Sequence, residues 1–172
     1  MTICIYAAAS DRIEKKYIDA VERLGEKLAK QGHSLIYGGG GSGLMGAAAR
    51  GFRKGDGEVI GVVPKFMHEF EPIFEDCTKI IETDDMAERK TIMEDGCDAF
   101  LIVPGGIGTF DELFQCLTLK ELGRHNKHIV LYNVDGYFTK LLEYMDDCIE
   151  KGFIREKVRG LFEVVCVNSN EC

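Results

Sequence analysis

Val103-Pro104-Gly105-Gly106-Ile107-Gly108-Thr109-Phe110-Asp111-Glu112 continues an all-apolar run, Ala99-Phe100-Leu101-Ile102-Val103. An uninterrupted apolar run of that length reads as a parallel strand buried on both faces. It enters a turn with three glycines and then a helical pattern from about Thr109 to Leu122. Glycines let bare backbone N–H groups approach a ligand, and a helix N-terminus attracts anions. Strand, glycine turn and helix in that order predict a phosphate cradle at the carboxyl edge of a sheet. Thr109 and Glu112 also have the spacing of a capping box, in which Glu112 merely bonds the backbone at the cap. The same turn would aim that carboxylate at whatever the amides hold. Both readings stay open at this point.

Strand and helix alternate outward from this stretch in both directions. Ile3 to Ala9 reads as a first strand. From Asp11 to Gln31 the residues Ile13, Tyr17, Val21, Leu24 and Leu28 form one helical stripe, which Gly32 ends. Ser34 to Tyr37 is a second strand, followed by Gly38 to Gly43 and a small-residue helix through Arg53. Val59 to Val63 is a third strand, residues 65–76 an irregular excursion, and Lys79 to Glu82 a fourth strand. A helix from about Asp84 to Asp95 precedes Ala99. Ile129 to Tyr132, a helix from Tyr137 to Lys151, and Glu163 to Val167 complete the chain. Parallel crossovers need helices, so this order predicts one α/β domain over residues 1–172. Its expected form is a Rossmann-like doubly wound parallel sheet of about six to seven strands, with helices on both faces.

The formal net charge of −8 argues against nucleic acid as a partner, because backbone binding needs a basic face. No apolar run approaches a membrane span, so no membrane association is expected. The N-terminus lacks a secretion signal, which predicts a cytoplasmic protein. Cys4, Cys77, Cys97, Cys116, Cys148, Cys166 and Cys172 include no C-x-x-C pair, and the several that sit in apolar stretches are expected to be reduced and buried. His125-x-x-His128 has no further residue at ligand spacing, so no metal site is expected.

Three small-residue turns follow strands: Ala7-Ala8-Ala9-Ser10, Gly38 to Gly43, and Gly105 to Thr109. Ligands of such sheets bind at the carboxyl ends of strands, so all three are expected to line one edge. Gly41-Ser42-Gly43-Leu44-Met45-Gly46 matches G-x-G-x-x-G, but the following strand, Ile60-Gly61-Val62-Val63-Pro64, ends without a ribose-binding acid. Neither turn carries the Gly-Lys-Ser/Thr of a P-loop. A mononucleotide or sugar phosphate fits better than a dinucleotide or a hydrolysed triphosphate, with no cofactor. Glu88-Arg89-Lys90 reads either as a solvated charged face or, with Met86 and Met93 flanking it, as a functional guanidinium opposite Glu112.

Pro104-Gly105-Gly106-Ile107-Gly108-Thr109-Phe110-Asp111-Glu112 resembles the PGGxGTxxE signature of the LONELY GUY (LOG) family. Met86-Ala87-Glu88-Arg89-Lys90 is similar to its M-x-x-R-K element, and Gly38 to Gly46 to its glycine loop. Asn133 to Phe138 and Lys151 to Ile154 resemble later segments, so the match spans nearly the whole chain. The resemblance implies a phosphoribohydrolase that splits a cytokinin riboside 5′-monophosphate, or AMP, into free base and ribose 5-phosphate. It implies Arg89 and Glu112 as the catalytic pair. It implies substrate contacts from Gly106, Ile107, Gly108, Thr109, Phe110, Asp111, Lys90 and Thr118. Glu71, Ser10, Gly41, Gly43 and Met86 join them, and a homodimer is expected. The chain departs from the family at Ala7-Ala8-Ala9, where a Cys-Gly-Ser turn is common, and at Ala87, where histidine is. A nucleotide-binding sensor or carrier without turnover, and a nucleosidase for other nucleoside monophosphates, remain the alternatives.

Overall fold

Seven strands form one parallel sheet in a computed structural model that describes residues 1–167. They are β1 (Thr2–Tyr6), β2 (Ser34–Tyr37), β3 (Val59–Pro64), β4 (Lys79–Thr83), β5 (Ala99–Ile102), β6 (His128–Val134) and β7 (Glu163–Val167). The helices are α1 (Lys15–Lys30), α2 (Gly43–Lys54), α3 (Met86–Asp95), α4 (Ile107–Glu121) and α5 (Thr139–Glu150), and the sheet order is β4-β3-β2-β1-β5-β6-β7. The expected α/β doubly wound architecture is therefore present.

Alternate residues of each central strand serve opposite faces, as the pleat requires. Ile3 and Ile5 of β1 pack with Val21 of α1 and Leu44, Ala48 and Phe52 of α2. Cys4 and Tyr6 pack on the other face with Met93 of α3, Leu113 of α4 and Met145 of α5. With both faces covered, β5 has no polar side to expose, which is why its sequence does not alternate.

Winding reverses between β1 and β5, the central neighbours. The chain ends of these two strands splay there, and a crevice opens at their carboxyl edge. Both strands end in small-residue turns, so backbone comes close to the crevice on that side.

Three boundaries shift from the sequence reading, and each shift matters. β1 stops at Tyr6 and α1 starts only at Lys15, leaving residues 7–14 as a loop over the crevice. α4 starts at Ile107, so Gly106 is its N-cap and Thr109 lies inside its first turn. Cys4, Cys77, Cys97, Cys116 and Cys148 are free thiols as expected, whereas Cys166 is disulfide-bonded, which corrects that expectation. Cys172 lies outside the described residues. Among the described residues no helix is long and apolar enough to cross a membrane.

α1 and α2 approach through glycine. A Cβ on Gly51 would sit 2.2 Å from the Glu22 carbonyl oxygen, and one on Gly25 would sit 2.7 Å from that of Ala48. Gly51→Ala must push the two helices apart, an overpacking cost of ~1–3 kcal/mol. The expected result in thermal unfolding is a Tm several degrees lower, with Gly32→Ala giving a change of different origin. Gly32 has open space around it but a φ of +83°, so there the cost is conformational.

Candidate active site

The three turns are wired to one another by backbone hydrogen bonds. The Ala8 N–H donates to the Pro104 carbonyl at 3.2 Å, and the Ala8 carbonyl accepts from Leu44 and Met45 at 2.9 and 3.1 Å. Gly43, at φ +55°, donates to Asp11 Oδ1 at 3.3 Å. The N-terminus of α2 is thereby consumed by the protein itself. A Cβ on Gly43 would meet the carbonyls of Ala8 and Ser10 at 2.7 Å, so that glycine lets the loop lie on the helix.

The N-terminus of α4 differs. The Phe110 N–H donates to the Gly106 carbonyl, but among the described residues the N–H groups of Ile107, Gly108 and Thr109 have no protein acceptor. Gly106, Ile107 and Gly108 are exposed at the crevice. Three free donors at the positive end of a 15-residue helix are arranged as an anion would require. The turn beneath them is rigid. Thr109 is buried over Gly105, where a Cβ would meet its Oγ1 at 2.0 Å, and the Tyr137 hydroxyl donates to the Gly105 carbonyl at 2.5 Å.

Arg89 enters from α3. Asp85 caps that helix by accepting from the Glu88 N–H at 2.8 Å, while Glu88 Oε2 accepts from the Asp84 N–H at 2.8 Å. The capping box of this protein is thus at Asp85 and Glu88, and the middle of the charged triplet turns inward. Arg89 is 7% exposed. Its Nε donates to the Val62 carbonyl and its Nη2 to the Gly38 carbonyl, both at 3.2 Å, and Nη1 lies 3.7 Å from Met86 Sδ. Among the described residues it makes no ion pair. A Cβ on Gly38 would lie 1.8 Å from Nη2, so the first glycine of that loop makes room for the guanidinium.

Glu112 faces the same cavity one turn into α4. Burial pushes its carboxyl up to about 7, against the pull of Arg89 and Lys90, with Asp111 and Glu94 adding to the rise. A residue serving the cap of α4 would be solvated and ordinary; this one is neither, and Gly106 occupies the cap. Lys90 is ion-paired to Asp111 and bonded to Gln115 Oε1 at 3.1 Å, which ties α3 to α4.

The cavity has a volume of about 310 Å³. Its charged and polar lining is Ser10, Glu71, Arg89, Asp111 and Glu112, with Thr109, Gly106 and Gly108 at the amide end. Met86 lines it too, joined by Met45 and Met67, which the sequence reading missed. Both stand in segments without a periodic signal, the small-residue helix and the irregular excursion. Tyr137 was also missed as the support of the turn.

Other expected contacts lie elsewhere in this chain. Ile107 is 88% exposed beside the free amides, Phe110 packs against the core, and Thr118 is exposed further along α4. Gly41 and Gly43 do not line the cavity and stand behind it. Gly41 donates to the Pro72 carbonyl at 2.8 Å, and its own carbonyl accepts from Arg50. The glycine loop shapes the site rather than lining it.

Comparison with known proteins agrees with the sequence resemblance. Residues 45–171 match a family model described as "Possible lysine decarboxylase". The chain is 38% identical over 92% of its length to the cytokinin riboside 5′-monophosphate phosphoribohydrolase LOG3 of Arabidopsis thaliana, covering 74% of that protein. It is 39% identical over 92% of its length to LOG4 of the same plant, covering 74%. With the LOG enzyme of Oryza sativa subsp. japonica it shares 38% identity over 92% of its length, spanning only 66% of that relative. In fold it is similar to the molybdenum cofactor carrier protein of Chlamydomonas reinhardtii, with TM-score 0.71 at 22% identity over 95% of this chain and 88% of that one.

Proposed function

The chain belongs to the LOG family of phosphoribohydrolases, and on that footing we propose that it hydrolyses the N-glycosidic bond of an adenosine-type nucleoside 5′-monophosphate, AMP included. The products are free base and ribose 5-phosphate. One observation carries this reading beyond membership. A buried guanidinium without an ion pair and a carboxyl group raised to about 7 share a cavity with three free helix N-terminal amides.

Each part has a task in that reaction. The amides of Ile107, Gly108 and Thr109, with the Ser10 hydroxyl beside them, hold the 5′-phosphate. The thioethers of Met45, Met67 and Met86 flank the base, and Glu71 accepts from its exocyclic amine. Glycosidic cleavage passes through an oxocarbenium-like sugar, which a nearby carboxylate stabilises. Glu112 supplies that carboxylate and takes a proton from the incoming water, whose oxygen bonds to C1′. The C1′–N electron pair leaves with the base, which takes up a proton. Arg89 balances the charge of Glu112 and of the phosphorylated sugar. Lys90 is held by Asp111 and Gln115 rather than open in the cavity, so decarboxylase chemistry finds no amine there.

α4 continues past the site with a solvent-facing stripe. Ile107 is 88%, Phe114 39% and Leu122 62% exposed, and Thr118 falls between them. We assign this stripe to a homodimer contact, which brings Thr118 near a second copy.

The test is direct. Incubation with AMP and with isopentenyladenosine monophosphate should release free base in chromatographic assay, with ribose 5-phosphate in equal amount. Tight binding of both without release of base would make the protein a nucleotide sensor or carrier.

A further inference from the structure

The amide cradle at Gly106 has a second room behind it. A cavity of about 400 Å³ meets the first at Ala8, Ser10 and Gly106, on the opposite side of the phosphate position. Residues 7–14, the loop between β1 and α1, form one wall. Arg12 and Glu14 face into it, as do the rings of Tyr17 and Tyr137, packed edge to face with centroids 6.2 Å apart. Nothing in base release from a nucleoside monophosphate uses this room. The monophosphate fills the first cavity and stops at the amides.

We propose that the second cavity is a subsite for the part of a pyrophosphate-linked nucleotide that lies beyond its first phosphoryl group. The ligand class is a nucleoside diphosphate sugar. This rests on the phosphate position given above.

The lining suits that chemistry group by group. Arg12 is exposed at the mouth and makes no ion pair among the described residues, so it is available to a second phosphoryl group. Its own backbone N–H donates to Ser10 Oγ at 3.2 Å, which places the loop against the first phosphate. Glu14, the one carboxylate of the lining, is paired at 3.5 Å with Lys16, a lysine it shares with Asp135 at 2.5 Å. That pairing softens its repulsion of phosphate and leaves an oxygen to accept from sugar hydroxyls. Tyrosine rings offer an apolar face to a pyranose, and Leu44 and Ile13 close the floor.

Such a ligand would span both rooms and compete with AMP. Calorimetric titration with AMP, ADP and ADP-glucose tests this on the full chain carrying Glu112→Gln, which slows turnover of AMP and serves here as the parent. One added charge-assisted contact gives an expected tightening of about tenfold from AMP to ADP-glucose. Arg12→Ala should erase that difference while leaving AMP affinity within about twofold, because Arg12 touches only the second room. ADP-glucose binding no tighter than AMP in the parent, or a preference that survives Arg12→Ala, overturns the proposal. Failure of the hydrolase reading looks different. There AMP yields no base, while the tenfold preference and its dependence on Arg12 remain.

Discussion

Glu112→Gln should lower the rate of base release by about 10²- to 10⁴-fold and, in the same molecule, make the fold more stable above neutral pH. The first effect follows from losing a cavity carboxyl raised to about 7, which suits it to take a proton from water beside the amide cradle. The second follows from the cost of holding that group. Its folded carboxyl titrates near 7 and its unfolded value is 4.5, raised chiefly by burial. Between these values the folded state binds more protons than the unfolded chain, so stability falls as pH rises from 4.5 to 7. Above pH 7 the loss is complete, at about 3 kcal/mol for a shift of that size. Glutamine carries no such penalty. The variant should therefore match the parent in Tm near pH 4.5 and exceed it by roughly 5–10 °C at pH 8. An equal gap at both pH values would mean that the carboxylate is not buried at a cost. A variant that cleaves AMP at the parent rate would remove Glu112 from the chemistry altogether. The parent's kcat/KM should rise with pH up to a midpoint near 7, since the reactive form is the carboxylate.

The same residue shows where sequence reading reaches its limit. The β5 run and the glycine turn were legible, because a strand buried on both faces permits no other pattern. Thr109 and Glu112, three apart behind a turn, match a capping box letter for letter. What decides against it is the backbone: Gly106 takes the cap, and Thr109 falls inside the helix over Gly105. The real box, at Asp85 and Glu88, is equally short and drew no notice beside Arg89. The glycine loop misled in the same way. Six glycines in nine residues from Gly38 to Gly46 match a dinucleotide fingerprint and are expected from sequence to line the ligand's edge, yet they serve close packing of Arg89, Met45 and the loop after β1. Glycine composition announces close approach and does not say to what. That is settled by which helix N-terminus still has free donors, and only tertiary hydrogen bonding decides it.

Arg89→Met should cost at least about 10²-fold in kcat/KM at pH 7, the scale of removing one preorganised charge from a reaction centre, and should move the pH profile. Arg89 is the foremost group holding the Glu112 carboxyl down. Without it, burial acts with less opposition and the midpoint for activity shifts above 7. Part of the lost rate should then return at pH 9, where the carboxylate forms again. Arg89→Lys separates charge from geometry. A lysine keeps the positive charge, so the midpoint should stay near 7. It cannot donate at once to the Val62 and Gly38 carbonyls as the guanidinium does, and it lacks the planar fork that leaves further donors for the substrate. The rate should fall while the profile keeps its shape. If methionine and lysine variants share one profile with the midpoint of the parent, Arg89 acts on the substrate alone and not on Glu112. A midpoint that moves only in the methionine variant makes the two residues one unit, in which a buried cation sets the pH at which its carboxylate can work.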